Sequence, residues 1–243
     1  MALLLRSCLL FMVVAPIGQA AVWMETFSEP RVDPGRWQVT VAGDFRDWSV
    51  NVDEPPQGGG SGRLGVRADT RGSSDETVKV LGVRSVPSID LDREVRVSVD
   101  LDWNEQANGS YLSAAIVLSP SSTQQSPFET PDWLKVEYVG VPPGRNGRMV
   151  VGVKQGGHER TLENEGWPVR GREGRRIGVQ HLVIVCRRGA LQVWENETLM
   201  YESKERVIGF DSAYLYLQMS SHSNYPARTV YFDNVRVEDL NSP

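Results

Sequence analysis

Two stretches of the chain alternate apolar and polar residues without a break. Residues 93–103 place Val95, Val97, Val99, Leu101 and Trp103 on one side, and Arg96, Ser98, Asp100 and Asp102 on the other. Residues 214–224 set Leu215, Leu217 and Met219 against Tyr214, Tyr216, Gln218, Ser220 and His222. Successive side chains of an extended strand point to opposite faces, so each stretch predicts a strand with one buried and one wet face. A wet stripe of phenols, an amide and an imidazole suits a sheet that meets a polar ligand. Further strands are predicted at 37–41, 63–68, 77–84, 112–118, 133–139, 149–154, 181–186, 190–195 and 229–238. Between most of them lie Gly, Pro, Asn and Asp clusters, clearest at Gln57–Gly62, Pro142–Gly147 and Gln155–Gly157, which supply the backbone angles of turns. No stretch holds a 3.6-residue period over three turns. Many short strands without interleaved helices predict an all-β fold, a two-sheet antiparallel β-sandwich.

The first twenty residues stand apart from this pattern. Arg6 precedes a short apolar run, and Gly18-Gln-Ala20 ends it with small residues, as in an export signal cleaved after Ala20. The expected mature chain, 21–243, is then a single secreted or periplasmic domain. No later segment approaches the roughly 20 apolar residues that a membrane span needs. Of two cysteines, Cys8 leaves with the signal, where no lipobox precedes it, and Cys186 sits in an apolar run as a small buried hydrophobe. Stability therefore rests on one large core rather than on a disulfide. Net charge is −5, with both signs interspersed. The one cluster, Arg170, Arg172, Arg175 and Arg176, lies in a Gly-rich stretch and reads as a solvated loop, which argues against nucleic acid as a partner. Gly58–Gly62 reads as a surface loop rather than a domain linker.

Several short motifs resemble a known superfamily. Glu25-Thr-Phe27, Val32-Asp-Pro-Gly-Arg-Trp37 and Gly62-Arg-Leu-Gly-Val66 are similar to the opening of concanavalin A-like jelly-roll domains, the LamG-like lectin and glucanase superfamily. Leu191–Tyr201 resembles its hairpin, with Asn196-Glu197 in the turn, and Val230–Glu238 resembles its closing strand. The resemblance implies a jelly roll of two curved sheets, the concave one often holding a polysaccharide or glycan. It implies no particular reaction, because one fold serves many functions.

Candidate chemistry gathers on the wet stripes. Asp100 and Asp102, with Glu105 nearby, project to one face, and glycoside hydrolysis uses a pair of carboxyl groups about 5–5.5 Å apart or wider. Laminarinase-type relatives in the resemblance place Glu-x-Asp-x-Glu on one strand. The corresponding stretch here reads Ser98-Val-Asp100-Leu-Asp102, so both glutamates are missing. His222, with Tyr216, Gln218 and Arg228, offers the base, acid and carboxylate-neutralising groups of a uronate lyase, although the lyase strand motifs are absent. If the strands around residues 96–102, 133–138 and 214–222 are neighbours, an order borrowed from the resemblance, one concave face collects Arg96, Asp100, Asp102, Lys135, Glu137, Tyr216, Gln218 and His222. Trp103, Trp133, Trp167, Tyr138 and Tyr225 are placed to stack on a sugar ring, while Trp37, Trp48 and Trp194 suit the core equally. The resemblance also suggests a structural calcium between the terminal strands at Glu25 and Asp233; no other cofactor is indicated, and His158, His181 and His222 lack zinc spacing. Asn108-Gly-Ser110 and Asn196-Glu-Thr198 match the glycosylation pattern. The leading expectation is a secreted glycan-binding module without catalysis. Its rivals are a polysaccharide-degrading enzyme using Asp100, Asp102, Glu137 or His222, and a structural or adhesive module whose wet stripe is covered by another chain or by its own long loops, such as residues 119–132 or 155–176.

Overall fold

The computed structural model describes residues 21–54, 62–74, 78–102, 112–139, 148–166, 178–221 and 224–241. In chain order the strands are β1 Ala21–Glu25, β2 Trp37–Ala42, β3 Asp47–Asp53, β4 Arg63–Asp69, β5 Lys79–Ser85, β6 Ile89–Asp90, β7 Glu94–Asp102 and β8 Leu112–Ser119. They continue with β9 Trp133–Val139, β10 Arg148–Gln155, β11 His158–Gly166, β12 Val179–Arg187, β13 Ala190–Glu195, β14 Thr198–Glu202, β15 Ser212–Ser221 and β16 Arg228–Asp239. One 3-10 turn, Pro127–Glu129, interrupts the β8–β9 connection. The first sheet runs β14-β13-β12-β7-β16-β4-β3, with β1 also on β16; the second runs β11-β10-β9-β8-β15-β5-β2, with β6 on β15. Every pairing is antiparallel.

Alternation decides what lies between the sheets. Val95, Val97, Val99 and Leu101 of β7 join Leu182, Ile184 and Cys186 of β12 and Val230, Phe232, Val235 and Val237 of β16 in the core. Ile116 and Leu118 of β8, Leu134 and Val136 of β9, and Leu215, Leu217 and Met219 of β15 meet them from the other layer. Burial pushes the Cys186 thiol up to about 12, so it stays a neutral hydrophobe. Tyr138 of β9 donates to Glu195 of β13 across the layers, inside this apolar space. Both side chains are buried, so Tyr138 is a core residue and not the sugar-stacking residue expected. Three hairpins turn on two residues of positive φ: Gly156-Gly157, Arg188-Gly189 and Asn196-Glu197. Such turns match the twist of the flanking strands.

Every predicted strand is present. Five others lie outside the predictions, β1, β3, β6, β11 and β14; β3 does alternate, with Trp48, Val50 and Val52 between polar residues, and the other four carry little apolar alternation. β11 is the clearest, since His-Glu-Arg-Thr-Leu-Glu-Asn-Glu-Gly is almost wholly polar. It lies at a sheet edge, where only one neighbour constrains it. Its presence corrects the reading of residues 155–166 as part of a long loop. Residues 1–20, 55–61, 75–77, 103–111, 140–147, 167–177, 222–223 and 242–243 lie outside the described residues, and with them the signal, most of the Gly58–Gly62 loop, Trp103, Glu105, Asn108, Trp167, the arginine cluster and His222.

Candidate functional site

The topology divides the expected ligand face in two. Arg96, Asp100 and Asp102 stand on β7 in the first sheet, while Lys135 and Glu137 on β9 and Tyr216 and Gln218 on β15 stand in the second. The layers pack back to back through their apolar faces, so the two polar sets look out from opposite sides of the molecule. The expectation of one shared face is therefore corrected. Alternation tells which residues face outward; it does not tell from which sheet.

On the second sheet the predicted stripe is largely covered. Tyr216 and Gln218 are both 0% exposed. Tyr216 donates its hydroxyl to the carbonyls of Ser121 (2.5 Å) and Thr123 (3.2 Å) in the β8–β9 connection, which lies over the sheet. Burial pushes its phenol up to about 12, so it serves as a donor and not as an acid. Gln218 Nε2 donates to Thr40 Oγ1 (2.9 Å) and to the Val83 carbonyl (3.0 Å). Gly82 makes room for that amide, since a Cβ there would stand 2.9 Å from Gln218 Nε2 and 2.0 Å from the Leu217 carbonyl. Trp133 is likewise enclosed, at 1% exposure, with its indole donating to the Phe128 carbonyl and the Phe128 ring set edge-on at 6.1 Å. Neither Tyr216 nor Trp133 is open to a sugar ring.

What stays accessible on this side is a groove of about 320 Å³, lined by Val78, Ser126, Phe128, Glu129, Lys135, Glu137, Glu159 and Ser220 and floored by Trp133. Lys135 sits at its centre. Its ammonium lies 3.0 Å from Glu137 and 3.4 Å from Glu159. It also lies 5.0 Å from the Trp133 ring centre and 5.5 Å from that of Phe128, within cation–π range. Burial pulls the Lys135 ammonium down, but the two carboxylates outweigh it and leave the group raised and charged. The spacing i, i+2, i+4 on β9 thus aims Trp133, Lys135 and Glu137 at one face, an indole, an ammonium and one carboxylate.

The outer face of the first sheet carries the other set. Asp233, Asp100 and His181 stand in one row across β16, β7 and β12. His181 Nδ1 lies 2.7 Å from Asp100 Oδ1, and Asn234 Nδ2 donates to Asp100 Oδ2 at 2.8 Å. Asn234 reaches it from a β-bulge, where its φ of 48° is one an asparagine tolerates. Asp102 pairs with Arg63 at 2.9 Å, and the Arg63 guanidinium lies over the Tyr231 ring at 3.5 Å. These groups surround a hollow of about 130 Å³. Burial, with Asp100 opposite, pushes the Asp233 carboxyl up to about 6, against the Asn234 backbone amide that favours its charge. Asp100 and Asp102 are thus engaged with different partners and do not face each other across a gap.

Glu25 and Asp233 lie close enough for the Glu25 charge to act on Asp233. Glu25 already accepts from the Phe27 amide (2.8 Å) and the Trp37 indole (3.4 Å), and faces Arg36 at 3.6 Å. Calcium takes six to eight oxygens. Among the described residues no group of three or more His, Cys, Asp or Glu is arranged to hold a metal. By themselves the Glu25 and Asp233 carboxylates offer at most four of those oxygens. Asn196, in the second glycosylation pattern, uses its own amide: Nδ2 donates to Gln180 Oε1 (2.6 Å) and Oδ1 accepts from the His181 amide (2.9 Å).

Comparison with solved structures sets this arrangement among known folds. The chain is similar to the catalytic domain of an endo-1,3-beta-glucanase (laminarinase) from Thermotoga petrophila RKU-1, with 16% identity and a TM-score of 0.62 over 92% of this chain and 99% of that one. It is similar also to a structure titled for endo-acting O-glycanases of the human gut microbiota that initiate mucin breakdown, with 15% identity, a TM-score of 0.61, and 91% and 100% covered. The T. cruzi calreticulin globular domain matches at 12% identity and a TM-score of 0.60, with 90% and 88% covered. The fold is a concanavalin A-like jelly roll. No protein-family profile matches the chain, and a search of characterised proteins finds no match. At these identities the likeness fixes the architecture of this jelly roll and leaves its chemistry to its own residues. Among the described residues no helix is long and apolar enough to cross a membrane.

Of the groove's residues, sequence reasoning found Lys135 and Glu137 and missed Ser126, Phe128, Glu129 and Glu159. Those come from the β8–β9 connection and from the polar edge strand β11, which carry no period to follow. On the first sheet, sequence reasoning weighs Trp194 as equally suited to the core and His181 only as a zinc ligand, so it places neither on a ligand face.

Proposed function

We propose that this jelly roll is a secreted carbohydrate-binding module that holds a glycan in the groove over β9 without cleaving it. The observation that carries the reading is Lys135, held between two carboxylates in a groove with a half-buried phenyl ring. A sugar offers hydroxyls that donate and accept, and C–H faces that pack on rings. Lys135, Glu129, Glu137 and Glu159 supply charged partners for the first, and Phe128 an apolar surface for the second. Hydrolysis needs two carboxyl groups placed on either side of the scissile bond. Glu137 and Glu159 instead converge on one ammonium, which supports binding over turnover.

The test is affinity electrophoresis on a panel of polysaccharide gels with wild type, Lys135→Ala and Glu137→Ala. Retardation on at least one gel, lost in both variants, is expected. Equal retardation of all three proteins removes the groove from consideration. Release of reducing ends from the same panel replaces binding by hydrolysis, and release of unsaturated, ultraviolet-absorbing ends replaces it by a lyase reaction.

A further inference from the structure

The outer face of a solvated sheet is expected to be polar, yet β12 is apolar on both sides. Val183 and Val185 point away from the core and are still only 6% and 7% exposed. The cross-strand rows explain this. Val183 stands between Ser98 of β7 and Trp194 of β13, and Val185 between Arg96 and Gln192. The indole and the arginine stems rise as walls around a valine floor, with Leu240 of the C-terminal turn at one end. The result is a groove of about 420 Å³, larger than the one over β9 and on the opposite side of the molecule.

Its rim carries two arginines and a histidine. The side chains of Arg96, Arg187 and His181 are 42%, 55% and 45% exposed. Arg187 Nε lies 2.7 Å from Glu94, which steadies that guanidinium at the rim, while Arg96 Nε stands 3.9 Å from Glu238, a carboxylate that Arg236 holds at 2.9 Å. A guanidinium has five N–H donors, so each keeps donors for a further partner. The carboxylate Asp100 can only accept, so His181 gives it the Nδ1 proton and turns Nε2 toward the groove. Gln192 spends its amide nitrogen on Glu202 and keeps its oxygen. Glu197 is the one carboxylate among the lining residues.

We infer that this face holds a second saccharide site, built for a pyranose that carries a carboxylate or a sulfate. The apolar face of the ring lies on Val183 and Val185 against the Trp194 indole. Its acidic group meets Arg96 and Arg187, and its hydroxyls meet His181 Nε2, the Gln192 oxygen and Glu197. The orientation is fixed by charge. Asp100 and Asp233 stand beyond His181 in the neighbouring row, so an anion is favoured at the arginine end and repelled at the other. This site is independent of the groove over β9.

Isothermal titration with tetragalacturonate, a sulfated galactose tetrasaccharide and neutral cellotetraose tests it, with amide chemical shifts locating the contact. Saturable binding of at least one acidic probe is expected, with the larger shifts at residues 96, 183, 185 and 187, and a response at least about tenfold weaker for cellotetraose, the size of one charged hydrogen bond. Whichever acidic probe binds tells carboxylate from sulfate recognition. Arg96→Gln and Arg187→Gln each weaken binding by about fivefold to tenfold, and Trp194→Phe preserves more of it than Trp194→Ala, with a single cooperative thermal transition in every variant as the fold control. Binding persists in Lys135→Ala, which separates this site from the first. The inference fails if neither acidic probe binds, if cellotetraose binds as well, or if both arginine variants bind as wild type does. It fails too if light scattering shows a dimer that Trp194→Ala dissolves, because a second copy then covers this face.

Discussion

The two outer faces of this sandwich began with opposite sequence signals, and each ended the other way round. β15 offered tyrosines, an amide and a serine at alternate positions, and the structure buries Tyr216 under the β8–β9 connection and Gln218 against Thr40 and Val83. β12 offered an unbroken apolar run, and the structure leaves half of it lining an open groove. A polar stripe is thus no guarantee of a wet surface, because hydroxyls and amides can be satisfied by the chain's own backbone. An apolar outward residue, having no such partner, is the more telling sign that something else is meant to cover it.

The difference between the faces can be measured, beginning with the two tryptophans. Trp133→Ala empties a closed site between the Phe128 ring and the Lys135 ammonium, and a loss of about 3–5 kcal/mol is expected from urea unfolding. Trp194→Ala, on the open face, removes a ring that solvent already reaches, and a loss of about 1 kcal/mol is expected. Equal losses would erase the distinction drawn here. Next comes Gln218→Leu, which strands the Thr40 hydroxyl and the Val83 carbonyl in a buried place and costs about 1–3 kcal/mol.

Asp233 gives the first sheet a pH dependence. Its folded value, about 6, lies above the ordinary 3.8, so the folded state binds the proton more tightly than the unfolded chain does. Stability contributed this way is present below pH 3.8 and is lost as pH rises toward 6. Asp233→Asn is expected to flatten that decline and to raise stability at pH 7 by about 1 kcal/mol, once solvent screening of a partly exposed group is allowed for. Denaturant midpoints from pH 3 to 8 read it, and a slope unchanged by the variant would assign the effect elsewhere. Smallest is the exposed Arg67–Asp47 pair at 2.7 Å, whose removal in Arg67→Ala should shift stability by less than about 1 kcal/mol.

Most of the fold was legible in the chain. Val95 to Leu101 and Leu215 to Met219 announced their strands by a period of two, and Asn196-Glu197 marked its hairpin. The polar edge strand β11 was not legible, since a strand held on one side by backbone bonds needs no apolar face. The site was legible only in part. Lys135 and Glu137 could be read as outward on β9, but that Asp100 looks the opposite way depends on which sheet β7 joins. That choice is made by pairings such as Asp100 with His181 and Asp233, across 81 residues in the first case, and no local pattern encodes it. Trp133 and Tyr216 were misjudged because a loop without periodicity decides their exposure.

β16 lies between β7 and β4 and also holds β1, although it comes after every other strand in the chain. Until residues 228–239 are available, β7 and β4 are unmated edges, and the first layer consists of β14-β13-β12-β7, the pair β4-β3 and the lone strand β1. Closing it requires contacts between segments more than a hundred residues apart, which makes for slow, cooperative assembly. A chain shortened before β16 would keep most of its second layer and display those open edges to other copies, the situation in which β-rich chains aggregate.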